Sequence, residues 1–281
     1  MRCVWWDLTG LTVAGVTWLL LGVAAVLTHD LVLYQWFGTR TGLNAQGQVL
    51  WYIYLALFAI TILCHIRAIL ADPGLVPLGL EVPGNIKDGR VCKKCGGGWK
   101  PARAHHCSIC QRCVFRMDHH CPWINNCVGY ASQKLFMLFL LYISILSGYT
   151  LILLATASML WFLDGRVVDP VTLGLSSMLA LESIFFAYFV MTFMNEQLES
   201  LETNTTLIET YQRSAASSKR TFAENFAEIF GNNKILWILP IDTSDPPRYE
   251  EEIVKVNPKS PAEQPLIPLS GDESQPRQRK F

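Results

Sequence analysis

Four stretches of the chain are almost free of Asp, Glu, Lys and Arg, at 8–27, 49–66, 135–163 and 171–194. Each is long enough to cross a bilayer as a helix, which takes about 20 apolar residues. Only the fourth contains a charged residue, Glu182. A lone Arg2 before the first stretch, with no obvious small-residue cleavage site, predicts a retained anchor rather than a secretory signal. After the fourth stretch the pattern turns mixed. Phe222, Phe226, Ile229 and Phe230 have the spacing of one apolar helix face, to lie either on the membrane surface or against the central loop. From 241 onward Pro, Ser, Glu and Lys dominate, which predicts a disordered tail.

The basic residues of the connecting loops predict the orientation. Lys87, Arg90, Lys93, Lys94, Lys100, Arg103, Arg112, Arg116 and Lys134 all fall between the second and third stretches, whereas the other two connections hold only Arg40 and Arg166. Four crossings then put both termini and the long loop in the cytosol. In that topology the formal glycosylation sequon at Asn204, Thr205 and Thr206 stays unmodified. The expected organisation is a four-span α-helical integral membrane protein. Its segments are 1–70 with two spans, a cytosolic Cys/His-rich domain at 71–134, two more spans at 135–194, a cytosolic region at 195–240, and the tail at 241–281.

Composition sharpens this picture in two ways. The 281 residues carry 23 basic and 23 acidic side chains, so no net field marks the chain as a nucleic-acid binder. Seven of the nine cysteines lie between Cys92 and Cys127, interleaved with four of the six histidines. In a reducing compartment that density points to metal.

An internal repeat sorts the ligands. Cys92 and Cys95 are followed by His106 and Cys113, and Cys107 and Cys110 by His120 and Cys127; in both halves the step from His to the last Cys is seven positions. Two tetrahedral structural zinc sites are therefore expected, one on Cys92, Cys95, His106 and Cys113, the other on Cys107, Cys110, His120 and Cys127. Interleaved sets would knit the loop with little need of a hydrophobic core. Cys121 is left over. It stands in Asp118-His119-His120-Cys121-Pro122-Trp123, where His119 is free to take a proton and Asp118 to orient it. Cys121 is thus either an activated thiol or a spare thiol or alternate zinc ligand.

The run from Cys92 to Cys127, through Ala104-His105-His106-Cys107, Asp118-His119-His120-Cys121 and Pro122 to Gly129, closely resembles the DHHC family of protein S-acyltransferases (palmitoyltransferases). The likeness extends to Asp72-Pro73-Gly74, to 225–231 and to 236–240. Three glycines, Gly96 to Gly98, make the first half one residue longer than the family pattern, and Thr205-Thr206-Leu207-Ile208-Glu209 matches the family's Thr-Thr-x-Glu only loosely. The resemblance implies that Cys121 takes a fatty acyl group, such as palmitoyl, from acyl-CoA as a thioester and passes it to cysteines of membrane-associated proteins. It also implies His119 as base, Asp118 as its orienter, matching Cys3His zinc sets, and a Golgi or endoplasmic reticulum membrane. Asn225 would brace the cytosolic face.

An acyl-CoA joins a long apolar chain to a charged head, so its site must reach into the bilayer and open to the cytosol. The spans offer Trp18, Tyr52, Phe136, Phe139, Tyr142, Leu146 and Phe186 to the chain, and Trp123 lies two residues from Cys121. The loop offers Arg103 and Arg116, among other basic residues, to the CoA phosphates. Glu182 is either functional, or protonated or hydrogen-bonded to a neighbour such as Ser144, Ser147 or Tyr149. Cys3 and Cys64 are either acylated themselves or small buried hydrophobes. Competing readings are an inactive zinc-stabilised scaffold, against which Asp118, His119 and Cys121 speak, and a metal transporter, which would need more ionisable residues in the spans.

Overall fold

Each membrane helix with an apolar start is launched by a side chain that satisfies backbone N–H groups. Asp7 accepts from Thr9 and Gly10 N at the head of α1 (Leu8–Leu27). Asn44 does the same for α3 (Ala45–Leu70), and Asp169, followed by Pro170 in the first turn, for α5 (Pro170–Thr203). The third span is α4 (Gln133–Leu163). These helices are four in number among the residues that the computed structural model describes, 7–81, 90–212 and 220–242. Cys3, Lys87 and all but the first two positions of the expected tail lie outside them.

The spans run further than hydropathy marked. The first continues through a π-helical turn, Thr28–Leu33, into α2 (Tyr34–Phe37), and there His29 and Asp30 stand 2.6 Å apart. A short hairpin of β1 (Gly38–Thr39) and β2 (Gly42–Leu43) leads into α3. The fourth span extends nine residues past the expected end at 194, where Gln197 and Leu201 of α5 are buried against the rest of the protein.

Between α3 and α4 the loop forms two antiparallel hairpins, β3 (Ala104–Cys107) with β4 (Arg112–Phe115) and β5 (His119–Cys121) with β6 (Asn126–Val128). As expected, the loop has little apolar interior of its own: Val114 and Met117 pack among Cys107, Cys110 and Cys127, while Ile124 and Val128 are buried in the core shared with the membrane helices. Asp72 starts it by accepting from Gly74 and Leu75 N, and Gly74 takes a left-handed φ of 98° that favours glycine. Gly96 and Gly97, with φ of 80° and 83°, absorb the extra residue of the first half.

Asn126 joins loop to membrane. Its buried Nδ2 donates to the carbonyls of Ala68, Ile69 and Ala71 at 3.1, 3.3 and 2.9 Å, capping α3 where its last carbonyls lack helical partners. After α5, α6 (Leu207–Gln212) leads towards α7 (Phe222–Phe230), which opens with a capping box between Thr221 and Glu224. Ile229 and Phe230 of α7 are buried and the helix packs on α5 and α4, while its Glu228 reaches Arg116 of the loop. Asn225 Nδ2 donates to Leu201 O at 2.7 Å, bracing the end of α5.

Asn126→Asp keeps the shape but turns an amide donor into a carboxylate facing three carbonyls. The expected cost is about 3 kcal/mol or more. A melting temperature in detergent close to the parent's would show that the cap is dispensable.

Candidate active site and two Cys/His clusters

The register of the hairpins explains the seven-residue step of the repeat. His106 lies opposite Cys113 in one hairpin and His120 opposite Cys127 in the other. The Cys-x-x-Cys turns close over each pair, so that Cys92, Cys95, His106 and Cys113 converge, as do Cys107, Cys110, His120 and Cys127. In each set the donor atoms lie within 4.8 Å of one another.

Nδ1 of His106 stands 3.6, 3.3 and 4.0 Å from the sulfurs of Cys92, Cys95 and Cys113. Nδ1 of His120 stands 3.7, 3.4 and 3.7 Å from those of Cys107, Cys110 and Cys127. A zinc with metal–sulfur bonds of about 2.3 Å and a metal–nitrogen bond of about 2.0 Å has tetrahedral edges of roughly 3.5–3.8 Å, so both donor sets fit two zinc ions.

Strand alternation separates the remaining groups from the metal. In β5 His120 turns to its cluster, and His119 and Cys121, two apart, share the opposite face. His119 Nδ1 is 2.8 Å from Asp118 Oδ2. Asp118 Oδ2 also accepts from Gln197 Nε2 at 2.9 Å, and Oδ1 accepts from the Leu207 N–H at 2.7 Å. Gln133 Nε2 in turn donates to Gln197 Oε1.

Burial opposes charge on His119, but the bond to Asp118 and the adjoining Cys121 outweigh it and raise its pKa to about 9. Burial likewise opposes ionisation of Asp118, and its bonds to His119, Leu207 and Gln197 prevail, holding it below the usual carboxylate range. The set is a thiol beside an imidazole that readily takes a proton, with the imidazole held by a fully bonded carboxylate.

Cys121 also opens on a narrow apolar cleft between the spans, lined among others by Thr17, Trp123, Phe136, Phe139, Phe186 and Phe189. Trp123 and Phe189 meet edge to face at 5.6 Å. Comparison with known proteins agrees with this geometry. A family model described as DHHC palmitoyltransferase matches residues 85–214. Palmitoyltransferase ZDHHC7 of Mus musculus is 34% identical over 238 residues, 78% of this chain and 77% of the relative. Palmitoyltransferase ZDHHC3 of Homo sapiens is 37% identical over 195 residues, covering 64% and 65%. Probable protein S-acyltransferase 13 of Arabidopsis thaliana is 32% identical over 206 residues, covering 64% and 68%.

The chain belongs to the DHHC palmitoyltransferase family. It is an enzyme of that class, an integral membrane protein with its two Cys/His clusters between the second and third spans. Within this DHHC protein several expected contacts are corrected. Arg103 and Arg116 do not face solvent for the CoA phosphates; they are 4% and 6% exposed. Arg103 makes a bidentate pair with Glu209, at 2.6 and 2.7 Å, and Arg116 binds Glu228 at 2.9 Å. Both donate to the Asn204 side-chain oxygen, so the formal sequon is buried in an ion-pair network.

In the Thr-Thr-x-Glu region, Thr206 is the threonine engaged with Glu209, through its backbone N–H at 2.9 Å. Of the expected cavity residues, Phe136, Phe139, Phe186 and Trp123 line it and four do not. Leu146 is buried in packing and is not among the residues that line the cavity. Trp18 bonds to His65, Tyr52 is 64% exposed on the outer surface, and Tyr142 donates to Ile238 O. Tyr149 donates to Leu50 O rather than to Glu182, which is half-buried, and Cys64 is wholly buried.

Sequence reasoning missed Gln197 and the Leu207 N–H, because both lie about 80 residues or more from Asp118 in the chain. Gln197→Leu removes one of the three hydrogen bonds to Asp118. Hydrogen bonds to charged groups are worth about 1.5–3 kcal/mol, so acyl uptake should slow roughly 10- to 100-fold with zinc content and folding unchanged; a parental rate would remove Gln197 from the site.

The clusters make their own prediction. Purified protein should contain two zinc ions, and stripping them with a strong chelator should lower the melting temperature and end acyl transfer together, since structural zinc contributes about 10–16 kcal/mol in small domains. Activity that survived full removal would refute a structural role.

Proposed function

We propose that this enzyme transfers a fatty acyl group from acyl-CoA to cysteine thiols of membrane-associated proteins through a thioester on Cys121. The observation that carries the reading is the position of Cys121, on the same strand face as His119 and at the cavity that enters the membrane helices. The acyl chain lies in that cavity. Each methylene moved there from water gains about 0.8 kcal/mol, so chain binding can hold a thioester against a buried sulfur.

The two zinc ions supply structure. They neutralise the ligand thiolates and fix the hairpins, and no step of the chemistry passes through them. In the first half-reaction Cys121 loses its thiol proton to His119. Its sulfur attacks the acyl carbonyl carbon, the new carbon–sulfur bond forms, the bond to the CoA sulfur breaks, and CoA leaves as a thiol with the proton from His119. In the second, an acceptor cysteine loses its proton to His119 and its sulfur takes the acyl carbon. The Cys121 sulfur departs and is reprotonated. Asp118 keeps Nδ1 of His119 hydrogen-bonded throughout, so that Nε2 does the proton transfer.

The basic loop supports an orientation with this site and both termini in the cytosol, where acyl-CoA is found. Family habit favours a Golgi or endoplasmic reticulum membrane. The segments 1–70, 71–134, 135–194 and 195–240 then divide the work into anchor, nucleophile carrier, cavity wall and brace.

The direct test is incubation of detergent-purified protein with labelled palmitoyl-CoA beside Cys121→Ser. Hydroxylamine-labile label is expected on the parent and none on the variant, with equal zinc in both. An unlabelled but folded and zinc-loaded parent would sink the thioester reading, and loss of zinc from the variant would make Cys121 a ligand.

A further inference from the structure

Behind the cavity, away from Asp118, His119 and Cys121, one histidine is wholly buried among the membrane helices. His65 of α3 is 0% exposed and both of its ring nitrogens are engaged. Trp18 Nε1 donates to Nδ1 at 2.8 Å, and Nε2 stands 2.8 Å from the carbonyl oxygen of Trp123. An indole N–H can only donate and a carbonyl can only accept, so these partners fix the ring as neutral with its proton on Nε2. The ring also stacks on Phe139, centroids 4.5 Å apart.

What His65 touches is the cavity wall. Trp123 and Phe139 line the cavity, and so does Thr17, the residue before Trp18. A single imidazole thus ties together α1, the turn that follows β5, and α4. Packing alone would be served by an apolar side chain of similar size, and a polar ring inside a span is costly unless its bonds do something. Here they hold a backbone carbonyl two residues from Cys121. The Trp123 ring, set against Phe189, forms the wall next to the sulfur, where the first carbons of a bound chain would lie.

We propose that His65 is a positioning residue which, through the Trp123 carbonyl and the Phe139 ring, sets the shape of the cavity and so tunes the acyl-chain length that Cys121 accepts. The proposal rests on the cavity being the acyl site. His65 contacts no reacting atom, and its effect falls on selectivity rather than on proton transfer.

The test offers equal amounts of myristoyl-, palmitoyl- and stearoyl-CoA to the purified full-length parent, His65→Leu, His65→Gln and Trp18→Phe, and reads the thioester products by mass spectrometry. His65→Leu is expected to change the product ratio by about threefold or more, the order of one methylene of burial. Trp18→Phe keeps an aromatic ring but loses the donor, and should move the ratio in the same direction by less. His65→Gln retains an N–H for the Trp123 carbonyl and should return towards the parent.

Equal slowing with all three chains would make His65 a packing residue and overturn the proposal, as would an unchanged ratio at full rate. If His65→Leu does not fold, Trp18→Phe decides on the same criterion. Nitrogen NMR of protein labelled at the histidine rings gives a second readout, with the His65 signals identified by their loss in His65→Gln. Protonation at Nε2 alone is expected, and protonation at Nδ1 would overturn the relay. A folded parent that takes up no acyl group would count against the thioester reading instead, and the NMR result would then decide the relay by itself.

Discussion

A β-strand sends successive side chains to opposite faces, and the site depends on that constraint. Within the three residues of β5, alternation gives His120 to the metal cluster and reserves His119 and Cys121 for the cavity side. The same rule in β3 turns His106 to the first cluster, opposite Cys113. Adjacent histidines can therefore serve different ends without competing. A helix at the same place would spread the four residues Asp118 to Cys121 around its circumference and separate His119 from Cys121. Zinc held by the two clusters would make so short a strand dependable, since hairpins of three or four pairs have little stability of their own.

The loop is bound to the membrane helices by buried polar contacts rather than by apolar packing alone. Near hydrocarbon, backbone groups without partners are expensive, and the end of α3 is met by the Asn126 amide. Arg103 and Arg116 act the same way on the other flank, where Glu209, Glu228 and Asn204 take up their guanidinium groups. The planar fork of arginine suits this role: Arg103 spans both Glu209 oxygens and an Asn204 carbonyl at once, which a lysine ammonium could not do with the same geometry.

Much of this was legible in the sequence, for a physical reason in each case. The spans could be read because hydrocarbon excludes charge over a fixed length, and the ligand sets because a hairpin register repeats as a fixed step between His and Cys. What stayed hidden depended on distance along the chain. A basic loop residue looks alike whether it meets solvent or a buried carboxylate 106 positions away, as Arg103 does with Glu209. Hydropathy locates the helices but not their inward faces, so of the aromatic and leucine residues it offers, Phe136 and Phe186 line the cavity while Leu146, Tyr52 and Tyr142 do not. Gln197 carried no local signal at all, since a lone glutamine near a span end reads as surface.

The depth of Cys121 follows from the two contacts that bracket it. Cys121 lies opposite Asn126 in the hairpin, and Asn126 is fixed to the last carbonyls of α3. Two residues on, the Trp123 carbonyl is held by His65 from the interior of that same helix. The α1 backbone closes the arrangement at Gly10, where any Cβ would collide with the Asn125 side chain. The sulfur is thereby set at one height relative to α3. On the proposed thioester, an acyl chain would have one end at that height and run past residues such as Ile143 and Phe186 that line the cavity. At about 0.8 kcal/mol per methylene, a change of one carbon in the space between them alters binding roughly fourfold. Selectivity for the acyl group would then depend on the distance from that strand end to the far wall of the cavity, the strand end being fixed by polar contacts outside it.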